Sequence, residues 1–123
     1  METRTDIDTF LEKTNVLHDG YIIGVEFHNN GIIPTKFGYE FRPELKQLTI
    51  RVLITSIYDA VLEMVFDEVL EWRVTDSQRD IIEAAVFFND RGFLVWTDDA
   101  GTVGTFKEND SYVVADRMKW RII

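Results

Sequence analysis

The stretch VLHDGYIIGVEFHNNG, Val16 to Gly31, holds both histidines of the chain, and His18 is followed directly by Asp19. An imidazole beside a carboxylate is the makings of a proton-transfer couple or of half a metal site, because the ring can act as base or ligand while the acid orients it. Each of those chemistries asks for more than a pair. A His-Asp metal hydrolase needs further histidines and carboxylates, and a two-histidine zinc site needs a third ligand and an open position on which all converge. The chain can add only His28, ten residues on. The bland alternative is that His18, Asp19 and Gly20 satisfy loose backbone groups where a helix hands over to a strand, and it is the favoured one. The competing reading is a ligand-binding or enzymatic β-barrel with His18, Asp19 and Arg121 around a cavity.

Other chemistries find less to work with. The absence of cysteine excludes disulfides, thiolate metal sites and cysteine nucleophiles. Ser56, Ser77 and Ser111 sit in turn-like segments, and none occupies a strand-to-helix elbow of the G-x-S-x-G kind. FGYEF and GTVG lack the glycine spacing and helix of a phosphate loop, and DDAGT has no ladder of calcium ligands behind it. Glu63, Asp67 and Glu71 share one strand parity, yet an open sheet face does not desolvate carboxylates enough to separate an acid from a base. The expectation is a protein without metal or cofactor, and more readily a binding protein than an enzyme.

Charge points the same way. The chain carries 22 acidic against 13 basic residues, a formal net of −9, and ten of the acids against three bases lie between residues 61 and 100. A field of that sign repels a phosphate backbone and attracts cationic surfaces, so a basic protein partner is expected and nucleic acid is not. The candidate contacts are Asp67, Glu68, Glu71, Asp76, Asp80, Asp90, Asp98 and Asp99, most of them in or beside turns. No window reaches the length of an apolar membrane span, and METRTDIDTFLEK is not a basic apolar leader, so a cytoplasmic protein is expected.

The elements that must position these residues are legible from periodicity. A chain of 123 residues supports one core of ordinary size, hence a single domain over its whole length. TDIDTFLEKT places Ile7, Phe10 and Leu11 at helical spacing and predicts a helix over 6–15, with Thr5 as cap and Asp8 completing a capping box. From Tyr21 the period is two. Tyr21, Ile23, Val25 and Phe27 form the expected inward face of a first strand, and NNG at 29–31 the turn of a hairpin. Phe37, Tyr39 and Phe41 alternate next, followed by Leu48, Ile50, Val52 and Ile54, and then by Leu62, Met64 and Phe66 with Leu70, Trp72 and Val74 on the same parity. Only Glu68 interrupts that last run, so residues 61–74 are one bent strand or two.

IIEAAVFFN, GFLVWT, TVGTF and SYVVADRMKWRII follow between short turns, and such spacing implies antiparallel pairing. In the last of them the inward parity slips by one residue around Asp116 and Arg117, where a bulge or bend is expected. Phe87, adjacent to Phe88 and on the parity of Ile81 and Ala85, is expected to lie under the helix or to form part of an apolar patch. The fold class is mainly β (α+β): a short N-terminal helix and about eight antiparallel strands in a curved sheet, sandwich or partly closed barrel.

The order LHDGYI, LTIRV, LEMVFDEV, IIEAAVF, FLVWTDD and MKWRII resembles a group of small bacterial β-rich proteins, some of them immunity proteins of toxin systems. The resemblance implies a non-catalytic chain that binds and blocks a basic toxin, with no catalytic residues to transfer. A homo-oligomeric structural module pairing through a strand edge is the alternative.

Overall fold

The structure, a computed structural model, describes residue 1 and residues 3–75, 80–102 and 110–123. Asp76, Ser77 and most of the strand expected over 102–106 lie outside the described residues. Among these residues one α-helix precedes eight strands, with an antiparallel six-stranded sheet and a separate two-stranded one.

Helix α1 spans Arg4–Lys13 and is capped by Thr3, whose hydroxyl accepts the Asp6 N–H at 3.2 Å while the Asp6 carboxylate accepts the Thr3 N–H at 3.0 Å. This capping box stands two residues ahead of the expected one at Thr5 and Asp8, because T-x-x-D occurs twice in TRTDID and the earlier copy starts the helix. Ile7 and Phe10 are buried, and the Phe10 ring meets Trp120 edge-on at 5.2 Å. The helix ends at Thr14, whose side chain turns back to donate to the Phe10 carbonyl at 2.8 Å.

The large sheet runs in the order β1 (Gly20–Asn29), β4 (Lys46–Ile54), β5 (Ala60–Arg73), β8 (Tyr112–Ile122), β7 (Leu94–Thr97) and β6 (Ala85–Phe88). Its core face carries Leu48, Ile50, Val52 and Ile54 of β4 and Leu62, Met64 and Phe66 of β5, all fully buried, as their alternation predicts. Each such side chain contributes about 1.5–3 kcal/mol by leaving water. Helix α1 packs against β6, and Val86 there, with Ala84 just ahead of the strand, joins the core. The buried parity is thus that of Val86 rather than of Phe87, although Ile81 is also buried.

Two strands change face where simple alternation does not. In β1 the register shifts between Ile22 and Gly24, so Ile22 lies opposite Val52 but Val25 and Phe27 lie opposite Ile50 and Leu48. Tyr21 and Ile23 are therefore not core residues, and at the sheet's edge even Val25 and Phe27 stay about 40% exposed. In β5, one continuous strand, Glu68 takes a left-handed φ of 54° and the register shifts again between Val69 and Glu71. Val69 consequently fills the core position while Leu70 is turned out, against the expected parity. The slip in β8 is present: Val113 and Ala115 are buried, and so is Met118.

The NNG segment is a kink and not the reversal. Gly31 approaches the Arg42 carbonyl so closely that a Cβ on it would stand 2.0 Å from that oxygen, and the ribbon runs on through β2 (Ile32–Thr35) to turn at Lys36 and Phe37 into β3 (Gly38–Phe41). The sheet does not close into a barrel. A single bridge, Gly20 to Ile81, links β1 to the segment ahead of β6, with Asp19 N–H donating to the Ile81 carbonyl at 2.8 Å and Ile81 N–H to the Gly20 carbonyl at 2.7 Å.

Gly20 has no room for a side chain: a Cβ there would stand 2.6 Å from the Leu17 carbonyl and 3.0 Å from Val52 Cγ1. Gly20→Ala is expected to cost about 1–3 kcal/mol of stability in urea unfolding. Gly24→Ala, whose nearest contact would be 3.8 Å, is expected to leave the midpoint almost unchanged.

Candidate functional site

His18 and Asp19 belong to the connection between α1 and β1. The His18 Nδ1 lies 2.8 Å from the Ile82 carbonyl, which can only accept, so that nitrogen carries the hydrogen. Its Nε2 stands 3.6 Å from the Asp19 carboxylate. The backbone of the pair is equally engaged. The Ser56 hydroxyl donates to the His18 carbonyl at 2.6 Å, and both the N–H and the hydroxyl of Thr55 donate to the Asp19 carbonyl. This is the bonding pattern of a structural junction. Arg121 is not brought to it: it lies opposite Glu63 on β8, and β8 is separated from β1 by β4 and β5. Three strand spacings amount to roughly 14 Å.

Arg121 serves the open face of the sheet instead. Its Nε donates to Glu63 at 2.9 Å, and Arg51 from the other side approaches the same carboxylate at 3.0 Å. The hydrogen bond from Arg121, followed by that from Arg51, lowers the Glu63 pKa below the ordinary carboxylate value. His28 is on this outward face too, exposed and 2.9 Å from Glu26. Among the described residues no three histidines or carboxylates converge on a point that would hold a metal ion.

The acidic residues do not form one patch. Asp67 accepts a hydrogen bond from Gln47 at 2.9 Å on the open face, and Glu68 holds the left-handed bend of β5. Asp80 is exposed just ahead of Ile81. Asp98 accepts the Ser111 N–H at 2.9 Å and returns its own N–H to the Ser111 carbonyl, while Asp99 accepts the Gly101 N–H at 2.9 Å. Burial is the main cause that raises the Asp98 pKa; the neighbouring Asp110 and Asp99 act in the same direction, and the Ser111 N–H opposes them.

Glu71 and Asp90 both line one concavity. One cross-strand row, Glu71–Val114–Val95–Phe87, runs from β5 through β8 and β7 to β6 on the side away from the core. With Leu70, Phe88 and Phe93 it lines a groove of about 600 Å³. Glu71 is fixed by the Tyr112 hydroxyl, which donates to it at 2.5 Å, and this bond is the leading cause that raises the Tyr112 pKa. The β6–β7 turn carries Asp90 and Arg91 to the other rim. Asn89 Oδ1 holds that turn by accepting the N–H groups of Arg91 and Phe93, each at 3.0 Å. The groove thus joins an apolar floor to two acids at its margin, one of which, Glu71, is held by Tyr112.

The alternation flags Phe87 as a patch residue and turns Val114 outward between Val113 and Ala115, but Leu70 escapes it. The exposure of Leu70 follows from the bend at Glu68 and the bulge behind it, and the sequence shows there only an acid interrupting an apolar run. Comparison with protein families, curated proteins and solved structures finds no match to this chain.

The raised Asp98 pKa has a defined sign. The folded state penalises its charged form, so the penalty is absent below the unfolded pKa of about 3.9 and grows as pH rises through the higher folded value. Asp98→Asn keeps an acceptor for Ser111. It is expected to match the parent below about pH 3.9 and to be the more stable protein at neutral pH, as read by urea unfolding across that range.

Proposed function

We propose that the chain is a non-catalytic protein-binding module whose groove at Leu70, Phe87, Val95 and Val114 takes an apolar side chain of a basic partner. The observation that carries this reading is the position of Glu71 and Asp90 at the margin of that apolar floor. Steering by a net charge of −9 speeds the approach of a cationic surface, and the groove supplies the contact that charge alone lacks. The resemblance to immunity proteins makes an inhibitor of a basic toxin, met in the bacterial cytoplasm, the case that fits best. Such a toxin's cationic surface would be masked by occupancy, with no chemistry asked of the inhibitor.

Among the described residues no helix is long and apolar enough to cross a membrane. Arg91 at the rim would accommodate a carboxylate or carbonyl beside the partner's cation.

Capture from a host lysate at low and moderate salt tests the proposal. The parent protein is expected to retain one basic protein at low salt and to lose part of it at moderate salt. Asp90→Lys combined with Glu71→Gln, which preserves an acceptor for Tyr112, is expected to lower that affinity about tenfold or more and to flatten its salt dependence, and Leu70→Ser to weaken it with the salt dependence intact. Equal capture by all three proteins would remove the groove from the interface.

A further inference from the structure

The ribbon formed by β2 and β3 is amphipathic without a core to face. Cross-strand pairing puts Ile32 opposite Phe41 and Pro34 opposite Tyr39, so these four share one face, and Phe37 sits at the tip. Their exposure is high: Phe37 94%, Phe41 74%, Tyr39 65% and Ile32 49%. An isolated two-stranded hairpin is marginal in water, and one with an uncovered apolar face is unfavourable twice over, in its backbone and in its surface.

We infer that this arm packs its apolar face against the same face of a second copy of the chain, forming a two-fold dimer. The area is sufficient. Aromatic side chains bury about 150–250 Å² each, so the exposed parts of Phe37, Tyr39 and Phe41 with half of Ile32 offer roughly 550 Å² of apolar surface. A standard interface takes about 800 Å² from each partner, of which about 65% is apolar in homodimers, or roughly 520 Å². The arm therefore meets the apolar requirement of a stable dimer without help from the body of the protein.

Charge permits the same occupant. The body is strongly acidic and repels its own copy, whereas residues 31–46 carry Lys36, Arg42 and Lys46 against Glu40 and Glu44, with Arg42 and Glu44 paired within the chain at 2.7 Å. A surface of balanced sign does not repel its own copy as the acidic body does, and so allows a self-complementary contact. The contact is through faces and not edges. Pro34 has no N–H to offer a neighbouring strand, so the β2 edge is a poor template for extension, and the apolar face remains to be covered.

The arm shares no residue with the groove, so this inference and the proposed function stand or fall separately. Sedimentation equilibrium of the full chain tests it, at concentrations up to about 100 µM, where a complex of micromolar Kd is almost fully formed. The expected mass is twice 14.4 kDa. Tyr39→Ser with Phe41→Ser, both at exposed positions, is expected to raise the dimer Kd about tenfold or more with the circular dichroism spectrum unchanged. The Asp90→Lys and Glu71→Gln protein is expected to remain a dimer. A parent protein of single-chain mass throughout would overturn the inference, as would a double-serine variant that is folded and still dimeric.

Discussion

A left-handed turn between helix and sheet governs how the rest of the chain is arranged. Asn15, Val16 and Leu17 have φ of 51°, 50° and 58°, and Asp19 follows at 57°. For residues with a Cβ, and for β-branched Val16 above all, that conformation costs about 1–2 kcal/mol per residue. It persists because the surroundings over-determine it. Leu17 is fully buried, the Val16 carbonyl accepts the Ala84 N–H at 2.9 Å, and Thr55, Ser56 and Ile81 take up the polar backbone of His18 to Gly20. The bonds with Ala84 and Ile81 tether the turn and the start of β1 to the segment ahead of β6, while those from Thr55 and Ser56 tie it to the connection between β4 and β5. His18 and Asp19 are engaged in that tether, which gives a physical account of why they adjoin each other and a glycine.

The curl of the sheet has a source in the changes of face along β1 and β5. A strand that keeps strict alternation lays one continuous surface inward; each bulge transfers the inward place to a neighbour and increases the twist. At Glu68 this brings Val69 into the core, and behind the bulge it turns Leu70 and Glu71 outward beside Val114, Val95 and Phe87. The groove is thus a product of the same irregularity that lets a long strand wrap the core. At the other end the sheet's curvature brings Phe27 of β1 within 5.4 Å of the Trp72 ring, across the width of β4.

Alternation and turn chemistry are enough to specify the helix, the antiparallel strands and most of the buried set, because β4 and the first half of β5 have one face covered and obey period two. The parity slip in β8 was legible as well, since Val113, Ala115 and Met118 cannot share a face on a regular strand. What escaped were places where the backbone departs from regularity for reasons of close approach. Asn29 to Gly31 has the composition of a hairpin turn, yet the contact of Gly31 with Arg42 serves a crossing of two continuing strands. Tyr39 and Phe41 alternate as core residues do and face solvent instead, because alternation reports an apolar face and not what lies against it. For the candidate site, composition identified the acids, but which of them adjoin apolar surface depended on the bulge.

That distinction decides how the charge should be understood. Of the acids in the middle of the chain, Asp98 and Asp99 accept backbone N–H groups, Asp67 is held by Gln47, and Glu68 occupies a bend. Their charges contribute to the long-range field, which steers any cation and distinguishes few. Recognition needs a charge held at a fixed distance from a surface that excludes water. Glu71, bound by Tyr112, meets that condition at one rim of the apolar row, and Asp90 stands at the other on a turn braced by Asn89. An excess of acid over base therefore sets the long-range field, while the groove is the place where two of those acids adjoin apolar surface at Leu70, Val95 and Phe87.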